Sequence, residues 1–96
     1  MKPSQALEAH RADIRRIVTA NHAENVRVFG SVLHGADTND SDLDLLVDPT
    51  AETTMLDVAR MQRQLQNLLG ITVDVLTPKA LPNSFRGRVL AEATPV

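Results

Sequence analysis

Three aspartates lie in two short apolar segments, and this placement indicates a metal-dependent reaction. Asp42 and Asp44 alternate with leucines, a pattern typical of a strand that sends both carboxylates to one face. Asp74 interrupts the apolar run Ile-Thr-Val-Asp-Val-Leu, although aspartate is disfavoured within strands. Adjacent carboxylates repel each other, and a hard divalent cation such as Mg²⁺ would neutralise them. We therefore expect the three carboxylates to share metal ions if the two strands are neighbours.

A phosphate-binding segment is predicted at Gly30 and Ser31, directly after a short β-branched run. Glycine lets the backbone approach a ligand closely, free N–H groups at the start of a helix favour anions, and serine adds a hydroxyl donor. The segment is not a Walker loop, because no Gly-Lys-Ser/Thr follows it. With two metal ions held about 3.5–4 Å apart by the carboxylates, these groups predict nucleotidyl transfer by in-line displacement at an α-phosphate. His34 and Ser41 are further candidates for contacts with the nucleotide.

The elements that must position these side chains alternate between helical and strand-like patterns. Helical spacing of apolar residues predicts helices over Ser4–His22, Ser31–Gly35 (a short helix or a turn), Thr54–Leu69 and Asn83–Ala93. Apolar and β-branched runs predict strands over Val26–Phe29, Asp42–Val47 and Ile71–Leu76, with a loop over Ala36–Ser41. This order predicts an α/β (α+β) class, a small sheet covered by helices, and it leaves the strand directions open.

The helix ends and helix faces carry more specific expectations. Ser4 is the expected N-terminal cap of the first helix, and Gly70 is the expected stop of the long helix. Apolar spacing predicts that the long helix buries Leu56, Ala59, Leu65, Leu68 and Leu69. It predicts that the last helix buries Phe85, Val89 and Leu90.

Length and composition restrict the classes of function. At 96 residues, the sequence is expected to form a single domain over residues 1–96. A net charge of −2 and only two aromatic residues argue against direct nucleic-acid binding, which uses basic surfaces and stacking rings. The absence of cysteine excludes disulfides, zinc–thiolate sites and cysteine nucleophiles. Without a long apolar stretch or a leader pattern, we expect a cytoplasmic protein that does not interact with membranes.

The spacing of the two motifs resembles that of a known superfamily. Val-Phe-Gly-Ser ending at Ser31, a ten-residue spacer and then Asp42-Leu43-Asp44 are similar to the signature of DNA polymerase β-like nucleotidyltransferases. Within that superfamily the chain most resembles the minimal nucleotidyltransferases. The resemblance implies a palm-like fold with a mixed three- to four-stranded sheet. It also implies that Gly30 and Ser31 bind the triphosphate and that Asp42, Asp44 and Asp74 bind metal, with Asp74 helping to deprotonate the acceptor.

Members of this family are commonly encoded beside a HEPN-domain partner. The resemblance therefore implies an antitoxin that transfers AMP from ATP to a tyrosine of a HEPN ribonuclease toxin, using two Mg²⁺ ions within a hetero-oligomer. The chain contains no tyrosine, so the acceptor must lie on another molecule. His34 stands where many members have arginine, which predicts a weaker phosphate contact because histidine is mostly neutral at pH 7.

Other interpretations of the same residues stay open. The chain could neutralise its partner by binding alone, or modify a small molecule such as an aminoglycoside with an acceptor domain supplied by a partner. Asp74 could instead be a buried structural residue. A calcium loop starting at Asp37 is disfavoured, because Asp42 and Asp48 replace the required glycine and glutamate. Solvated surface positions are the simplest expectation for Arg60, Arg63, Arg86, Arg88, His10 and His22.

Overall fold

A four-stranded mixed sheet organises the molecule, whose computed structural model describes residues 1–96. The strands are β1 (Ala23–Phe29), β2 (Leu43–Pro49), β3 (Val73–Leu76) and β4 (Thr94–Pro95), in the spatial order β3-β2-β1-β4. Strand β2 runs parallel to β3, and β1 runs antiparallel to both β2 and β4. The predicted fold class, a small mixed sheet with helices packed on it, is therefore confirmed.

Five α-helices connect and cover the strands. They are α1 (Pro3–Ala9), α2 (Arg11–Ala20), α3 (Gly30–Leu33), α4 (Met55–Leu69) and α5 (Asn83–Glu92), and a 3₁₀ turn at Pro78–Ala80 precedes α5. None of these helices has both the length and the apolar character needed to cross a membrane.

The two faces of the sheet pack differently, and this difference exposes the aspartates. On one face Leu43, Leu45 and Val47 are fully buried in the main core against helices α1, α2 and α4. On the opposite face a smaller cluster forms around Leu46 and Val89, beneath α5 and the 3₁₀ turn. Because side chains alternate along a strand, Asp44 shares the face of Leu46 and is only half-buried.

The predicted first helix is wrong in its continuity and in its cap. The helical segment breaks at His10, which separates α1 from α2, and the N-terminal cap is Lys2 rather than Ser4. The backbone N–H of Ser4 instead donates to Asp37 Oδ2 at 2.9 Å. An aspartate from a distant loop therefore caps α1, a contact that local spacing cannot reveal.

The long helix confirms its predicted end and, at Leu65 and Leu69, part of its predicted apolar face. Gly70 ends α4 in the left-handed conformation, at φ 68°. The buried residues of α4 recur every four positions, at Asp57, Met61, Leu65 and Leu69. The predicted inward positions Leu56, Ala59 and Leu68 are exposed instead, as is Leu90 on α5. The side of α4 that packs into the core carries Met61, Leu65 and Leu69, and Asp57, which forms a capping box with Thr54, lies on the same side.

Strand boundaries also differ from the predicted ones. Strand β1 begins at Ala23, three residues earlier than expected, and β2 begins at Leu43, so that Asp42 immediately precedes it. Strand β3 is shorter than predicted at its start, and β4 was not predicted because two residues show no alternation.

Candidate active site

Gly30 brings the chain after β1 into direct contact with β2. The preceding residue, Phe29, pairs with Asp44 across the antiparallel strands. Gly30 has φ 74°, and a Cβ added there would overlap the Asp44 carboxylate. Only glycine combines this conformation with such a close approach. Helix α3 has four residues, so an anion at this point would be bound by individual N–H groups and the Ser31 hydroxyl rather than by a long helix.

The parallel pairing of β2 and β3 places two of the three aspartates side by side. Asp44 is the register partner of Asp74, and both are half-buried on the same face of the sheet. Asp42 lies one residue before β2 and is exposed. The backbone N–H of Leu43 donates to Thr72 O at 2.9 Å, which extends the pairing and sets Asp42 beside Thr72. The neighbouring strands that a shared carboxylate site requires are therefore present.

The electrostatics of this face are unfavourable in the absence of a ligand. Burial, the largest cause, and the negative charges of Asp74 and Asp42 together raise the pKa of Asp44 to about 6. No hydrogen bond or cation counters these effects at Asp44. A positive charge supplied from outside the chain would remove the repulsion.

The oxygen donors of this face fit a divalent cation that arrives together with phosphate. No three His, Cys, Asp or Glu side chains lie close enough together to hold a metal ion by themselves. Mg²⁺ usually takes one or two protein carboxylates and completes its octahedron with water and substrate phosphates. The paired carboxylates of Asp44 and Asp74, with Asp42 beside them, match that partial set of ligands.

His34 and Ser41, the two further candidates for nucleotide contacts, are held by other groups. His34 follows α3, and its Nε2 lies 3.2 Å from Glu92 Oε2 of α5, with both side chains partly exposed. The Ser41 hydroxyl accepts from the backbone N–H of Thr38 at 2.8 Å and closes the turn before Asp42. A role for either residue at a nucleotide stays a prediction.

Asp37 was missed as a positioning residue. It is buried within the loop that joins the Gly-Ser segment to Asp42, and the hydrogen bond from Ser4 lowers the pKa of its carboxyl. This contact ties the middle of the loop to α1, and no local signal distinguishes Asp37 from the other turn residues.

Arg86, expected on a solvated surface, is partly buried and makes structural contacts, whereas His22 is exposed as expected and also contacts Asp57. Arg86 donates to the backbone carbonyls of Pro78, Lys79 and Leu81, and so joins α5 to the 3₁₀ turn. His22 has φ 64°, and its Nδ1 lies 3.3 Å from Asp57 Oδ2. Neither contact lies at the carboxylates of β2 and β3.

Comparisons with known proteins identify the family and agree with the fold. The family described as polymerase β nucleotidyltransferase matches residues 12–96. The protein adenylyltransferase MntA of Thermococcus cleftensis is 31% identical over 86 residues, which cover 90% of this chain and 84% of the relative. A solved structure described provisionally as a minimal nucleotidyltransferase has a TM-score of 0.86 at 41% identity, covering 97% of this chain and 95% of that one.

A more distant structural neighbour shares the fold. It is a crystal structure of a toxin–antitoxin with AMP-PNP, with a TM-score of 0.73 at 17% identity, and the match covers 88% of this chain and 69% of that one.

Proposed function

Because this chain belongs to the polymerase β nucleotidyltransferase family, we propose that it is a Mg²⁺-dependent protein adenylyltransferase acting as an antitoxin. Its reaction would move AMP from ATP to a hydroxyl group of a partner protein. The observation that carries this proposal is the meeting of Gly30 with Asp44 and of Asp44 with Asp74 at one end of the sheet. A backbone segment suited to phosphate and a carboxylate pair adjoin there, and nucleotidyl transfer needs both kinds of group.

Each group of the site has a defined part in the proposed reaction. The backbone N–H groups of Gly30 and Ser31 and the Ser31 hydroxyl would bind the outer phosphates, with His34 and Ser41 as further contacts. Asp42, Asp44 and Asp74 would hold two Mg²⁺ ions, which when bound supply positive charge to the α-phosphate and the departing pyrophosphate. Asp74 would accept the proton of the acceptor hydroxyl while the oxygen of that hydroxyl forms a bond to the α-phosphorus. The bond from that phosphorus to the bridging oxygen breaks, and pyrophosphate leaves.

The proposed partner is a HEPN-domain toxin bound in a hetero-oligomer, with a tyrosine as the proposed acceptor. The relative's name, the toxin–antitoxin neighbour and the absence of tyrosine from this chain support this choice. Met55 and Leu56 at the start of α4 are 91% and 73% exposed, and they offer apolar area for such a contact. ATP as the substrate and Mg²⁺ as the cofactor suit a cytoplasmic site of action.

A thermal-shift panel tests the donor half of the reaction. ATP, GTP, CTP and UTP are added with and without Mg²⁺ to the wild type and to an Asp42→Asn/Asp44→Asn variant. A ligand that binds only the folded state stabilises it by about 2.7 kcal/mol at one hundred times its Kd. We expect a Mg²⁺-dependent rise in Tm with ATP in the wild type and none in the variant.

A Glu24→Gln/Glu52→Gln variant is the matched control, because it removes the same two charges from exposed positions away from the site. The control should respond to ATP like the wild type. If no nucleotide raises the wild-type Tm, either alone or in complex with the partner, the chain acts by binding alone and the enzymatic proposal fails.

A further inference from the structure

Two glutamines of α4 bind the outer edge of β3, the strand that carries Asp74. The side-chain carbonyl oxygen of Gln66 accepts from the backbone N–H of Val73 at 3.2 Å. The corresponding oxygen of Gln62 accepts from the backbone N–H of Val75 at 3.0 Å. Both glutamine side chains are half-buried. The amides of the residues immediately before and immediately after Asp74 are therefore each bound by a side chain of one helix.

These two bonds compensate for the position of β3 at the edge of the sheet. Strand β3 has a neighbouring strand, β2, on one side only. The carbonyl oxygen of Thr72 accepts from Leu43 at the start of β2, so the backbone groups of the alternate residues Val73 and Val75 face away from β2. No strand is present there to accept from their N–H groups, and the glutamines take its place.

The spacing of the two elements explains why a pair of glutamines fits a pair of amides. Residues four apart on a helix lie on one face and advance by about 6 Å along the axis. Residues two apart on a strand advance by about 6.6 Å. Gln62 meets Val75 and Gln66 meets Val73, so α4 and β3 run in opposite directions with matching steps. Two bonds at this separation resist both sliding and pivoting of the strand.

The segment held in this way carries the carboxylate that lies beside Asp44. Asp74 is the register partner of Asp44 on the same face of the sheet. Burial of Val73 and Val75 in the core holds β3 against the helices, and the ladder to β2 holds it from one side. Mg²⁺ demands near-ideal octahedral geometry with ligand distances of about 2.0–2.1 Å, so a small lateral shift of β3 would weaken the contribution of Asp74.

We propose that Gln62 and Gln66 are positioning residues that hold Asp74 beside Asp44, so that both carboxylates can bind the same Mg²⁺ ions. The inference rests on the proposed function and adds two residues that act through the backbone on either side of Asp74. Gln64 of the same helix provides the contrast. Its carbonyl oxygen accepts from the Asn21 side chain at 2.8 Å, so it bonds to a different part of the fold.

A Mg²⁺ titration at saturating ATP, followed by Tm, tests the proposal on the intact chain without an acceptor. Methionine is the substitution, because it is unbranched like glutamine and its sulfur is only a weak acceptor. Gln62→Met and Gln66→Met should each need about tenfold more Mg²⁺ for half of the ATP-dependent rise in Tm, as when a group that orients a metal ligand is removed. Each rise is measured from the ligand-free Tm of the same variant.

Gln64→Met is the matched control, because it also removes one side-chain hydrogen bond of α4 and should keep the wild-type Mg²⁺ requirement. Gln62→Glu is the conservative variant, because a carboxylate oxygen still accepts from an N–H group. It should keep the same Mg²⁺ requirement as Gln64→Glu, which adds the same charge elsewhere on α4.

Amide hydrogen exchange without metal or nucleotide tests the contacts themselves. Gln62→Met should speed exchange at Val75, and Gln66→Met at Val73, by about fivefold, as expected for the loss of one hydrogen bond. Gln64→Met should change neither rate.

A wild-type Mg²⁺ requirement in both Gln62→Met and Gln66→Met, or an equal increase in Gln64→Met, would overturn the proposal and leave the proposed function intact. Unchanged exchange at both valines would overturn it as well. If ATP and Mg²⁺ do not raise the wild-type Tm, the proposed function itself fails and this inference fails with it.

Discussion

Asp44 and Asp57 are two aspartates of one small protein whose surroundings move their pKa values in opposite directions. The pKa of Asp57 is lowered to about 2, chiefly by the hydrogen bond from the Thr54 backbone N–H and further by contacts with His22 and Arg60. The pKa of Asp44 is raised to about 6 by burial and by the charges of two other aspartates.

The number and kind of partners explain the difference. Asp57 is 5% exposed and meets an amide, an imidazole and a guanidinium within the chain, so its charge is neutralised by the fold. Asp44 lies beside other carboxylates, and no group of the chain neutralises its charge, so a bound cation would have to do so. Perturbed acids of the second kind are typical of functional sites, whereas fully partnered acids are typical of structural ones.

Removal of the Asp44 charge should have the largest effect, a loss of function without a loss of stability. We expect Asp44→Asn to lower AMP transfer by about 10²–10³-fold, the cost of losing one electrostatic group from an active site. Folding without ligand should not suffer, because the substitution removes a repulsion. Transfer rates and Tm are measured together, with Asp57→Asn as the counterpart that loses stability. An undiminished rate in Asp44→Asn would contradict the role given to this residue.

Two glycines of similar conformation provide a second contrast between the regions. Gly30 and Gly70 have φ 74° and 68°, but a Cβ at Gly30 meets the Asp44 carboxylate and one at Gly70 meets nothing within 4 Å. Alanine at either position should cost about 1–2 kcal/mol for the left-handed backbone. Gly30→Ala should cost more and should also lose the ATP-dependent rise in Tm, which Gly70→Ala should keep. Equal behaviour of the two variants in urea unfolding and in ATP binding would argue against a special role of Gly30.

The smallest expected effect is the pH dependence of stability, and its sign differs between the two aspartates. For Asp44 the folded pKa of about 6 lies above the ordinary value of 3.8, so its stabilising effect is complete below pH 3.8 and is lost as the pH rises through 6. For Asp57 the folded pKa of about 2 lies below 3.8, so its contribution is present above 3.8 and is lost as the pH falls through 2.

Tm measured against pH without metal or nucleotide checks both signs. Relative to wild type, Asp44→Asn should gain stability on going from acid to neutral pH, and Asp57→Asn should lose it. Added Mg²⁺ and ATP should shrink the gain of Asp44→Asn, since the wild-type carboxylate is then neutralised. Parallel pH curves for the wild type and Asp44→Asn would show that Asp44 carries no repulsion.

Local patterns were sufficient for much of the fold and for the outline of the site. Alternation placed Leu43 and Leu45 in the core opposite Asp44, and Gly70 was correctly predicted to end α4. The face of α4 was predicted wrongly at Leu56, because a helix with apolar residues on several sides has no unique inward face. The face that packs into the core is the one with Met61, Leu65 and Leu69.

The sequence by itself determined which groups could perform chemistry, because residue type and short spacings are properties of the chain. The Gly30-Ser31 pair after a strand and the alternation of Asp42 with Asp44 belong to this class. Only the tertiary structure decided that β3 runs parallel to β2, which brings Asp74 across from Asp44, and that Asp37 caps a distant helix. These contacts join residues separated by about thirty positions, and they depend on how the apolar faces of all the elements are buried together.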